Sequence, residues 1–213
     1  MSTRFATSIG GDLVAIYCAP TLAVRAEGLL AHLAKLHARG RGLADGDTIS
    51  CGGSLLALRR QRGELVVHEP AFDGDPLSET RPDVTTTLRT LDSQIELLAR
   101  CSAPAQPTMF WETVTVPRGT LDVRRVYLHR HRKLSLRDSG WSLAPLDGEA
   151  EGLGTLFVHE ILAKRPALVP ALAFPEGWLV VFDGNRVQSV LDPSERQVWP
   201  APRGASLDRY ATS

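Results

Sequence analysis

Missing from this chain is any apolar run of membrane-spanning length. Leu13–Cys18 is short, partly β-branched and closed by Pro20, whereas a spanning helix needs about 20 apolar residues. The amino terminus, with Arg4 among polar and glycine residues, lacks the pattern of an export signal, so a cytoplasmic location and no membrane partner are expected. An excess of either charge is missing too. Lys plus Arg and Asp plus Glu are both 24, which leaves no overall field to draw the molecule onto nucleic acid. Cysteine is scarce: Cys18, Cys51 and Cys101 are an odd set at wide spacing, which argues against a disulfide framework and for a reducing compartment. Each lies in or beside apolar residues and reads as a small buried hydrophobe.

The signatures of common chemistries are absent as well. His159-Glu160-Ile161-Leu162-Ala163 begins like a zinc-protease helix, but that motif needs a second imidazole one turn on, where this chain has Ala163. His129 and His131 share a strand face without a third ligand nearby. Cys51-Gly52-Gly53-Ser54-Leu55 lacks the second glycine of a nucleophile elbow, since Leu56 stands there; its glycines read as a bulge or bend. Asp45-Gly46-Asp47 and Asp73-Gly74-Asp75 read as turns. No metal and no cofactor is expected. Cys51 with His68 and a carboxylate such as Asp45 can still be drawn as a nucleophilic set, which keeps a hydrolytic alternative open.

What is present suffices for a core. With 43% hydrophobic residues in 213, the chain can build one large domain or two small ones. Leu13–Cys18 reads as a buried strand. A helix follows, capped by Thr21 and stopped by Gly40, with Leu22, Ala26, Leu29, Leu33 and Leu36 on one face and His32 and His37 off it. Runs 55–60 and 64–68 flank a three-residue hairpin loop, Gln61-Arg62-Gly63. Asp83 can cap a second helix with Val84, Leu88, Leu91, Ile95 and Leu98 on its stripe. After Ser102–Pro107, the best linker, runs 110–116 and 121–131 read as strands paired around Pro117-Arg118-Gly119. A short helix is expected over 155–164, and strands 178–182 and 186–191 bracket the turn Asp183-Gly184-Asn185. The expectation is an α+β fold, with mixed or antiparallel sheets and flanking helices in two packed halves. The first half, 1–104, is an α+β module and the second spans 108–203.

Charge is uneven locally. Between residues 64 and 83, Glu64, Glu69, Asp73, Asp75, Glu79 and Asp83 oppose only Arg81. Within that proline-bounded loop, Phe72, Asp73, Asp75, Glu79 and Asp83 are candidate partner-binding residues, because an aromatic anchor amid acidic charge suits a basic protein surface. Between 118 and 137 the balance reverses, with Arg118, Arg124, Arg125, Arg130, Arg132, Lys133 and Arg137 against Asp122. With only Tyr127 among them to stack on bases, a charged edge strand explains these residues better than nucleic-acid binding.

Val126-Tyr127-Leu128-His129-Arg130, Asp138-Ser139-Gly140-Trp141, Arg165-Pro166-Ala167-Leu168-Val169-Pro170-Ala171-Leu172 and Phe174-Pro175-Glu176-Gly177-Trp178, in that order, resemble the immunity protein 33 family. Its members are small bacterial domains assigned by gene neighbourhood to neutralising a cognate toxin. The resemblance implies a protein that binds a toxin effector and blocks it stoichiometrically, with no catalytic residue of its own. A hydrolase antitoxin using Cys51 and His68, or an adaptor escorting an effector to a secretion machine, are the alternatives. Within the motif, Asp138, Ser139, Gly140 and Trp141, and with them Trp178, are expected to be mainly structural. Asp138 can accept from the backbone two residues on, Gly140 can adopt a left-handed conformation, and Trp141 can anchor the core.

Overall fold

The computed structural model describes residues 1–148 and 152–200, so the end of the expected second domain, 201–203, lies outside the described residues. They divide into two compact units. Met1–Glu96 with Pro107–Trp111 forms the first, and Leu97–Gln106 with the described residues from Glu112 onward forms the second.

In the first unit the strands are β1 (Thr3–Ile9), β2 (Asp12–Cys18), β3 (Thr48–Cys51), β4 (Ser54–Gln61), β5 (Glu64–Pro70) and the short β6 (Thr80–Arg81). They make one mixed sheet in the order β1-β2-β5-β4-β3, with β6 pairing β5; only β2 and β5 run parallel. Helices α1 (Ala23–Ala38) and α2 (Thr85–Arg100) supply the other half of its core. Val14, Ile16, Leu56, Leu58, Leu65 and Val67 of the strands cluster with Ala26, Leu29, Leu30 and Leu33 of α1 and with Val84 and Leu88.

Several local expectations change. Thr21 does not cap α1; a 3-10 turn over Pro20–Leu22 feeds straight into it, with no side-chain cap. Gln61 pairs with Glu64, so the hairpin loop is the two residues Arg62-Gly63, not three, and both take positive φ, 49° and 89°. That is the turn whose twist suits a tight hairpin. Gly52-Gly53 is a second tight hairpin turn, since Cys51 pairs with Ser54. Ile95, placed on the apolar stripe of α2, is 39% exposed.

In the second unit, β7 (Thr113–Thr115), β8 (Arg125–Arg130), β9 (Asp138–Pro145), β10 (Thr155–Phe157), β11 (Leu179–Asp183), β12 (Arg186–Leu191) and β13 (Gln197–Trp199) form a seven-stranded mixed sheet in the order β10-β7-β9-β8-β11-β12-β13. Its one parallel pair among the described residues is β7 with β9. The expected hairpin of 110–116 with 121–131 is therefore corrected: β9 lies between β7 and β8. Gly119, at φ 76°, starts a 3-10 turn over Thr120–Asp122, which turns Leu121 away from a ladder and frees both strands to pair with β9. The helix expected over 155–164 is β10 followed by α3 (Val158–Lys164). Pro166–Ala173 winds as a 3-10 helix, because Pro170 cannot donate the hydrogen bond that an α-helix requires. Trp141, Leu128, Leu143, Phe174, Val180 and Phe182 pack with Val158, Ile161, Leu168 and Leu172 into one core.

The architecture is α+β. No helix among the described residues is long and apolar enough to cross a membrane.

Candidate functional site

Two places in the molecule collect the residues that sequence reasoning singles out. The first is the acidic loop after β5. Its aromatic, Phe72, is half-buried and meets Phe110 edge-on at 5.8 Å. Asp73 pairs with Arg81 at 2.6 Å, and Asp75 accepts from Leu77 N and Ser78 Oγ, folding the loop on itself. Asp83 accepts from Thr85 N at 2.8 Å, at the start of α2, and from Ser2 Oγ. Burial works to raise the Asp83 carboxyl, but these hydrogen bonds outweigh it and hold it below the usual range. Much of the acidic charge is thus spent locally, and Leu77 and Glu79 face solvent.

Beneath this loop Glu69 is fully buried. It accepts from Thr87 N at 2.7 Å, within the first turn of α2, and from Arg81. Burial pushes its carboxyl up against the pull of those donors.

The second place is the end of β8 and the start of β9. Asp138 Oδ1 accepts from Gly140 N at 2.8 Å. Ser139 Oγ donates to Thr113 O at 2.6 Å and accepts from Trp141 N, which fastens β9 to β7. Gly140 sits at φ 77°, and its carbonyl accepts from His131 N at 2.7 Å. Trp141 is 1% exposed. Burying a ring of that size removes ~150–250 Å² from water, of order 4–6 kcal/mol before entropy is counted.

Over Trp141 lies the guanidinium of Arg130, 5.6 Å from the ring centroid. Arg130 donates through Nη1 to Gln106 O and Phe174 O, at 2.5 Å each. Phe174 in turn stacks on Trp178 at 4.7 Å, and the Arg130 backbone bonds Trp178 O and Gly177 N. Sequence reading treated Arg130 as one cation of a charged edge. It is the buried hub joining Trp141, Phe174 and Trp178, and the signal available was its alternation with the apolar Val126 and Leu128 on β8.

Residues 93–193 match the family model of the Imm33-like domain. The C-terminal half is Imm33-like. No curated protein and no solved structure matches the chain. The motifs that carried the resemblance all fall inside the matched residues, and in the Imm33-like half they are the turn, the strand start and the ring stack just described.

The basic run of this half is corrected as well. β8 is a central strand between β9 and β11, not an edge. Arg124 pairs with Asp183, Arg125 with Asp147 and Lys133 with Glu112. The rings of His129 and His131 lie 4.1 Å apart, and burial first, then the neighbouring imidazole, lowers the His129 pKa. Among the described residues, no group of three His, Cys, Asp or Glu is placed to hold a metal ion.

The residues of the hydrolytic alternative lie in the first unit. Cys51 is buried at the floor of a cavity of about 270 Å³ that Gly28, Leu29, His32 and Leu91 also line. Burial pushes its thiol up to about 11. His68, two strands away across the sheet, meets Gln61 Nε2 at 2.8 Å and Thr80 Oγ1 at 3.3 Å, and burial lowers its pKa. Since the thiolate is the nucleophile, Cys51 in the folded protein is expected to react with a water-soluble maleimide about 100-fold more slowly at mildly alkaline pH than in denaturant. The rate should climb with each pH unit toward 11. Fast labelling at neutral pH, with the fold intact, would mean an activated cysteine.

Proposed function

We propose that this protein is a bacterial immunity protein, which binds a cognate toxin effector in the cytoplasm of the producing cell and neutralises it by stoichiometric blocking. The observation that carries the reading is the Imm33-like match over residues 93–193. Two features support a binding role over turnover. Asp138, Ser139, Gly140 and Trp141 spend their polar groups on backbone and core. Cys51 lies buried with a raised thiol pKa, and His68 bonds to Gln61 and Thr80.

Co-expression tests the proposal. The product of the adjacent gene, induced alone in a laboratory host, should arrest growth. Co-expression of this chain should restore growth, and the two should leave a sizing column as a stoichiometric complex. Cys51→Ala should protect as well as the parent. No complex and no protection would remove the proposal. Protection that vanishes in a folded Cys51→Ala protein would favour the hydrolase, and a complex without protection would favour the adaptor.

A further inference from the structure

The chain leaving β8 crosses to β9 through residues 131–137, an exposed loop that carries two leucines and is tethered by several hydrogen bonds. Leu134 and Leu136 are 90% and 96% exposed. A side chain of that kind on a lone surface site needs no explanation, but two leucines, two positions apart, at the tip of one loop form a patch. Their loop is held at every turn. Leu134 N donates to Asp138 Oδ2 at 2.8 Å, Asp138 N donates to Ser135 Oγ at 3.3 Å, and His131 N donates to Gly140 O at 2.7 Å. Arg137 O accepts from both Thr113 N and Thr113 Oγ1. Lys133 reaches the buried Glu112.

The Asp-Ser-Gly-Trp segment thereby acquires a second task. Each of its first three residues bonds to the loop or to the strand that anchors it, so the segment that fixes the core also fixes the loop. A segment ordered before it binds forfeits little conformational freedom on binding. Two leucines offered to water on a preformed backbone are apolar surface whose burial by a partner is favourable.

Charge specifies the partner further. Arg132 and Arg137 flank the leucines, both exposed, and neither forms an ion pair among the described residues. We propose that residues 131–137 are the element of this chain that enters a partner protein, seating Leu134 and Leu136 in an apolar groove whose rim is acidic and meets Arg132 and Arg137. The proposal deepens the immunity reading and rests on it for the identity of that partner as a toxin. A protein groove is favoured over a lipid surface because the loop is tethered residue by residue, which suits a shaped site. The chain as a whole also has no net charge to hold it on an anionic bilayer.

The experiment selects random peptides displayed on phage against three full-length proteins: the parent, Leu134→Ser with Leu136→Ser, and Arg132→Ala with Arg137→Ala. In parallel, each protein is titrated with the adjacent gene's product and with vesicles of phosphatidylglycerol. All three should melt at the same temperature, since the altered side chains lie in water. The parent should enrich peptides that mix acidic and large apolar residues. The leucine variant should bind them at least tenfold more weakly, and the arginine variant should lose most of the salt dependence. Peptides that bind parent and leucine variant alike, or no enrichment at all, would overturn the proposal. So would vesicle binding that the leucine substitutions abolish, or a concentration-dependent dimer of the parent that they dissolve. If the adjacent gene's product binds parent and leucine variant equally, the loop is wrong and the immunity reading stands. If that product binds neither while loop-dependent peptides are recovered, the immunity reading falls and the loop stands.

Discussion

Gly140→Ala is expected to cost the second unit at least ~3 kcal/mol, a large share of an ordinary domain's stability of about 5–15 kcal/mol. Two effects add. Gly140 sits at φ 77°, where a Cβ costs roughly 1–2 kcal/mol of backbone strain. That Cβ would also land on the His131 carbonyl oxygen, far inside van der Waals contact. The obstacle is backbone, and it cannot swing aside, because His131 N is itself bonded to Gly140 O. The control is Gly184→Ala, at φ 59° with nothing within 4 Å of the added carbon, where strain acts alone and a loss of ~1–2 kcal/mol is expected. Urea denaturation followed by tryptophan fluorescence measures both. A Gly140→Ala protein no less stable than Gly184→Ala would mean that the two strands can part at no cost, and with it would go the claim that this segment fixes the loop.

Much of the fold was legible because its periodicities are strong. β2 carries a continuous apolar run, β5 has Leu65, Val66 and Val67 in a row, and α1 keeps a clean stripe through Ala26, Leu29 and Leu33. The turn at Gly184-Asn185 is announced by composition and confirmed by the pairing of Asp183 with Arg186. β1 escaped for the opposite reason. Six of its seven residues are at least partly exposed, so no alternation survives to mark a strand whose existence depends on pairing with β2. The order of strands in the second sheet was illegible too. Residues 110–131 contain no sign that a later segment will slip between β7 and β8, since that insertion is a tertiary event driven by burial of Trp141 and Leu143. At the candidate site, the role of Asp138-Ser139-Gly140-Trp141 as turn and core anchor could be read from residue chemistry alone. Leu134 and Leu136 could not be read as exposed, because leucines flanked by arginine and lysine look the same in sequence whether they point inward or out.

Arg130→Ala is the other substitution expected to be severe, with a loss of about 3–5 kcal/mol. The side chain is 1% exposed, and burial pulls its pKa below the ordinary arginine value, opposed by the charges of Glu112 and Glu176. Taking a guanidinium out of water is costly, and its Nη2 has no hydrogen-bond partner. The cost is offset by the two bonds to Gln106 O and Phe174 O, each charge-assisted and worth ~1.5–3 kcal/mol, and by the face of Trp141. Alanine removes all three favourable contacts, strands the buried Phe174 carbonyl and opens a cavity against the indole. Arg130→Met separates these effects: it refills the volume and removes the buried ion, so it should recover a large part of the loss while leaving the Phe174 carbonyl unsatisfied. Because a guanidinium stays charged throughout the accessible range, the difference between alanine and parent should not change with pH. The same residue's backbone holds Gly177 N and Trp178 O one position before the loop begins. Arg130→Met takes the guanidinium off the Trp141 ring and Gly140→Ala strains the residue just before that ring, so their combined cost should depart from the sum by about 0.5 kcal/mol or more, on the order expected of residues sharing partners. Simple additivity in that cycle would show that Arg130 stabilises the ring stack alone and leaves the presentation of Leu134 and Leu136 to the Asp138 hydrogen bonds.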